Sequence, residues 1–195
     1  MKWATVWGVR LAVMATAAAY IWELFREARA GFFPFEALPL QLALAVPIIL
    51  LLALGAVAVQ QQLLLGEMTR RVRRLVFWVP RIALLAFAAF ISLFALDMFG
   101  AGYAPLELLL GLLIHLIPTG VLLVAAALAW RHPWVGAIAC TGWAAWYLSM
   151  AWGESVVSVY AVMAGAPLLV GALFALDWGC PADQVHPPRR ATAEV

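Results

Sequence analysis

In the stretch LLIHLIPTG, residues 112–120, a histidine sits inside a long apolar run, with a proline three residues on and a threonine after it. Histidine is the side chain that normally changes charge between about pH 5 and 8. Inside an apolar segment it is costly unless it faces a bundle interior, a partner or water. Pro118 adds a second demand, because a proline within a helix frees the carbonyl four residues earlier, here that of Ile114. His115 and Thr119 are the nearby donors. Glu107 lies eight residues before His115, close to the same helical face. Asp97, Tyr103 and Glu154 fall on the same outer side of the chain's expected topology. These six residues are therefore a candidate polar cluster: a proton relay or small-cation site opening outward. The competing reading is a neutral histidine bonded to a neighbouring helix for packing.

The elements that must position them follow from composition. Hydrophobic residues make up 67% of the 195 and charged residues 11%, against about 45–50% and about 25% in soluble domains. With a mean hydropathy of +0.99, the chain is expected to be an all-α, polytopic membrane bundle forming a single transmembrane domain. A bilayer core about 30 Å thick takes roughly 20 apolar residues per helix. About six apolar runs meet that length, at 7–25, 38–59, 76–96, 106–130, 134–152 and 156–176. Residues 1–76 would hold two helices and a basic loop, 77–178 a four-helix unit, and 179–195 a polar tail. The first run, with Lys2, Arg10 and LAVMATAAA, imitates a signal peptide. Its apolar stretch continues through YIW, which favours an uncleaved helix in which Arg10 snorkels to the surface.

Lysine and arginine fall almost entirely on one side of six alternating spans, leaving only Arg26 and Arg29 on the other. The positive-inside rule then places both termini in the cytoplasm, in a prokaryotic inner membrane. Trp3, Trp7, Trp78, Trp130, Trp134 and Trp178 would mark the inner interface, and Trp22 and Trp152 the outer one. The formal charge of +2 gives no case for nucleic acid. The basic stretch QQQLLLGEMTRRVRRL, residues 60–75, brings Arg70, Arg71, Arg73 and Arg74 together, with Arg81 nearby. This cluster serves either as a topological lock or as a contact for anionic lipid headgroups.

Prolines stand inside three runs, at Pro47, Pro118 and Pro167; kinks there would let three helices line one cavity. Small residues four apart, Ala15 with Ala19, Gly136 with Cys140 and Ala161 with Gly165, favour close helix contacts or a dimer. The pentapeptide LFALD occurs at 93–97 and again at 173–177. On this topology its aspartates lie on opposite sides, as an inverted repeat predicts, yet the flanking residues match no better than composition allows. Each aspartate then marks the first residue too costly to keep in hydrocarbon. No nucleophile elbow, zincin, Walker or dinucleotide signature is present. Cys140 and Cys180 lack metal-ligand spacing, and His115, His132 and His186 lie too far apart to hold one haem iron, so neither metal nor cofactor is expected.

At SLFALDMFG, LLIHLIPTG and WRHPWVGA the chain resembles an uncharacterised family of small multi-pass bacterial and archaeal membrane proteins with a four-helix unit. The resemblance spans residues 80–178 and implies that the first two helices are an addition to that unit. Asp97, His115, Pro118, Thr119, Trp130, Gly136 and Trp152 match its pattern, and no activity comes with it. Two functions follow from the residues themselves. One is a non-enzymatic membrane subunit or scaffold packing against partner helices or a second copy; the other is a small carrier or channel for protons or a small solute.

Overall fold

The structure is a computed structural model describing residues 2–100 and 103–180. Expectations for the tail beyond Cys180, His186 included, lie outside the described residues, as do the side chains of Lys2 and Trp3. Every regular element among the described residues is helical. The chain runs through α1 (Lys2–Arg29), α2 (Leu38–Leu65), α3 (Arg70–Ser92), α4 (Pro105–Ala129) and α5 (Pro133–Ala151). It ends in α6 (Val157–Tyr160), a π turn (Ala161–Gly165) and α7 (Ala166–Gly179), which join into one rod over Val157–Gly179.

Proline and glycine punctuate these helices. Pro105 and Pro133 stand in the first turns of α4 and α5, where a missing N–H costs nothing. Gly66 closes α2 in the left-handed region at φ 73°, its N–H returning to the Gln62 carbonyl. Gly31 takes the same conformation after α1, at φ 79°. Only glycine enters that region without strain, which is why helices so often end on it.

Among the described residues, five helical segments are long and apolar enough to cross a membrane: Thr5–Arg29, Leu38–Leu65, Arg70–Phe99, Pro105–Ala129 and Val157–Gly179. The fifth expected run, now α5, is not among them. Its glycines, Thr141 and amphipathic rings dilute its hydropathy. These small and polar residues are also what let α5 pack closely against α7.

One core joins α2, α3, α4, α5 and α7 through Leu51, Leu84, Leu122, Cys140 and Phe174. A smaller one holds α1 to α2 through Leu24, Ala28, Leu38 and Ala45. The start of α3 meets the ends of α4 and α7 at one pole, while the end of α1 meets the start of α6 at the other. The helices therefore alternate in direction, which puts Asp97 and Asp177 at opposite poles. LFALD is nonetheless no structural repeat. Residues 93–97 lie in a 3-10 segment, Leu93–Gly100, with Leu93 and Phe94 exposed, whereas 173–177 continue α7 with Leu173 and Phe174 buried.

Candidate functional site

The six residues of the candidate polar cluster are not brought together. Asp97, Tyr103, Glu107, His115 and Glu154 are all exposed on the surface of the chain. His115 Nδ1 lies 2.9 Å from the Gly111 carbonyl of its own helix. Glu107 accepts the Ala104 N–H at 3.3 Å, acting as a first-turn cap. Thr119 alone is buried, and its hydroxyl has no partner. Neither His115 nor Thr119 serves the carbonyl of Ile114, and no group of three metal-ligating side chains occurs among the described residues. His115→Leu should accordingly stay within about 0.5 kcal/mol of wild type in detergent melting, as surface changes do. A loss several times that size would mean that His115 holds a partner after all.

The chemistry inside the bundle belongs to other residues. Arg81, expected at the lipid surface with its neighbours, is instead 1% exposed. Lying eleven residues beyond Arg70, it stands about three turns deeper along α3, level with the ends of α4 and α7. Nη1 donates to Asp177 Oδ2 on α7 at 2.9 Å and also to the Phe77 carbonyl, while Nη2 donates to the Ala129 carbonyl at 3.3 Å. The guanidinium carbon lies 3.7 Å from the centre of the Phe77 ring, a cation–π contact. Ala129 closes α4, where the last carbonyls lack helical partners and favour a cation. A single side chain thus ties three helices together.

A second buried ionisable group, Glu27, is also 1% exposed. Its Oε1 accepts the Ser158 N–H at 3.1 Å, so a side chain from α1 caps the rod that begins at Val157. Glu27 Oε2 and the Ser158 hydroxyl are buried without a partner. Tyr160 fixes the same corner from within, accepting the Gly153 N–H at 2.9 Å and donating to the Ala151 carbonyl.

The prolines behave unequally. α2 and α4 continue through Pro47 and Pro118 without a break, whereas Pro167 follows directly on the π turn. The carbonyl that Pro167 leaves free is that of Met163, and the Trp143 indole N–H donates to it at 3.0 Å from α5. Trp143→Phe should keep the edge contact with Phe87 and cost about 1 kcal/mol in detergent melting, the scale of polar contacts within membranes. The loss should shrink in a Pro167→Ala background, where the backbone regains a donor. Pro47 and Pro167, with Trp143 and Cys140, line an apolar cavity of about 210 Å³ at the centre of the bundle. Pro118 lines a different depression. Cys140 and Cys180 are both free thiols.

Arg70, Arg71 and Arg74 stand exposed at the start of α3, and Arg73 is partly covered, donating to the Cys180 carbonyl. Trp7, Trp22, Trp78, Trp130, Trp134, Trp152 and Trp178 all point outward. The sequence reading missed Glu27, Ser158, Trp143 and the Arg81–Asp177 pair as interior contacts. The only available signal was the cost of an arginine and an aspartate beside apolar runs with no neighbour of opposite charge in sequence.

No curated protein and no solved structure matches the chain. The signature of one family matches residues 68–187, more than half of the length, beginning just before α3 and leaving α1 and α2 outside it. The chain belongs to the family described as domain of unknown function DUF7670.

Proposed function

We propose that this is an integral protein of a prokaryotic cytoplasmic membrane, crossing six times with both termini inside, and that it acts without catalysis as a helical subunit or scaffold. One observation carries this reading: the buried acidic and basic side chains among the described residues are engaged in tying helices together, Arg81 with Asp177 and Glu27 with Ser158. What the chain offers outward is apolar, as along α4, where Leu113, Ile117, Val121 and Val124 are more than half exposed. Such a wall suits lipid, a partner helix or a second copy, because packing between membrane helices needs no polar site. α5 has 19 residues. At helical rise it is about 28 Å long and reaches across most of a bilayer core as the sixth span.

Purification in mild detergent tests the reading. A stoichiometric membrane partner or a defined homo-oligomer is the expected result. The central cavity favours a second reading, a carrier for a small solute. Collapse of a pH or solute gradient by the purified chain in liposomes would displace the scaffold in its favour.

A further inference from the structure

We propose that the seam between α2 and α3 is a binding site for one anionic phospholipid, with its phosphate on Arg70, Arg71 and Arg74 and an acyl chain in the groove below. Two adjoining features of the surface carry this. The three arginines frame a depression of about 380 Å³ whose remaining lining residue is Leu75. Leu75 is also the near lip of a second groove, of about 670 Å³, walled only by apolar side chains of α2 and α3. That groove follows α3 from Val72 to Ala86 and α2 from Val57 back to Pro47. Fourteen helical residues span about 21 Å, longer than the roughly 15 Å that one leaflet contributes to the hydrocarbon core. A cationic head and an apolar trough of that length, meeting at one residue, have the shape and polarity of an acylated phosphate.

The arginines also need an anion on their own account. Arg70 and Arg74 are four apart on one helix face, a repulsive spacing for like charges. All three stand in the first turns of α3, where the helix dipole disfavours positive charge. Among the described residues none of the three has an ion pair, Glu67 in the preceding loop included. A lipid phosphate relieves both costs, and the groove separates a lipid from free phosphate, which has nothing to place there.

The inference rests on membrane insertion, which alkaline carbonate extraction reads separately. A chain released by carbonate defeats insertion; a retained chain without lipid preference defeats only this site. The full chain, delipidated in mild detergent, is titrated with phosphatidylglycerol and with phosphatidylcholine of the same acyl chains, and bound masses are read by native mass spectrometry. One phosphatidylglycerol should bind in clear preference to phosphatidylcholine. At about fivefold per arginine, the triple change Arg70→Gln, Arg71→Gln, Arg74→Gln should weaken it about 100-fold, and Arg74→Gln alone about fivefold. Val57→Trp fills the groove with the arginines intact and should also weaken phosphatidylglycerol, while excess inorganic phosphate should not displace the lipid from wild type. Equal binding of the two lipids, full binding by Arg74→Gln or by Val57→Trp, displacement by inorganic phosphate, or a second protein chain bound in place of lipid each overturns the proposal.

Discussion

Asp177→Ala should destabilise the bundle by about 3–5 kcal/mol, because removing one partner of a buried ion pair leaves the other charge uncompensated. The site leaves Arg81 little escape. Its side chain is 1% exposed against 14% for Asp177, and the two remaining acceptors, the Phe77 and Ala129 carbonyls, are neutral. Arg81→Ala should cost a similar amount, since it strands Asp177 near the C-terminus of α7, where the helix dipole opposes a carboxylate. The double change Arg81→Met, Asp177→Leu should recover most of the loss, as apolar replacements of buried pairs generally do. The first LFALD, at 93–97, supplies a control within the same chain, because Asp97 is an exposed aspartate in identical local sequence. Asp97→Ala should stay within about 0.5 kcal/mol of wild type. Thermal or denaturant melting in detergent reads all four. If Asp177→Ala and Asp97→Ala melt alike, the pair holds nothing.

The second large effect is steric. A Cβ on Gly136 would sit 2.7 Å from two atoms of the Phe174 ring, a distance real Cβ atoms essentially never reach. Phe174 is fully buried and cannot swing away. Gly171 returns the same fit from α7, with only 3.2 Å to the Cys140 Cβ and the Thr141 hydroxyl. Gly136→Ala should therefore cost about 1–3 kcal/mol, as overpacking of a tight core does. Adding Phe174→Leu should return part of it. On the same helix Gly142 has open space around its Cα. Gly142→Ala should stabilise α5 by about 0.5–1 kcal/mol through backbone entropy. Opposite signs at two glycines six residues apart are the expected signature of the α5–α7 seam; two losses or two gains would mean the helices meet elsewhere.

The helices and their alternation were legible because hydrophobic runs are averages over many residues, insensitive to any single contact, although α5 falls short of the hydropathy of the other five. Gly136 with Cys140 was legible too, since small residues at that spacing have few uses other than close approach. Ala15 and Ala19, at the same spacing, are exposed. In so alanine-rich a chain the pattern does not discriminate by itself. The candidate site failed for a different reason. Glu107, His115 and Asp97 were grouped by the pole they share, but a pole is wide, and the face each side chain takes is decided by packing partners far away in sequence. Arg81 finds Asp177 96 residues on, and Ser158 finds Glu27 131 residues back. Neither separation leaves a trace in local pattern. The π turn was hidden likewise, because one residue too many in a helix looks like any other apolar residue.

That extra residue sets a rotational phase. Ser158 and Asp177, nineteen positions apart, would lie about 100° from each other on an unbroken α-helix. Absorbing one residue in Ala161–Gly165 brings them back to about the same azimuth. The rod therefore works as a crank between two poles, with Glu27 gripping one arm and Arg81 the other. A residue gained or lost between 161 and 165 leaves the composition of the rod almost untouched, yet it turns the far arm by about a quarter of a circle and takes Asp177 out of line with Arg81.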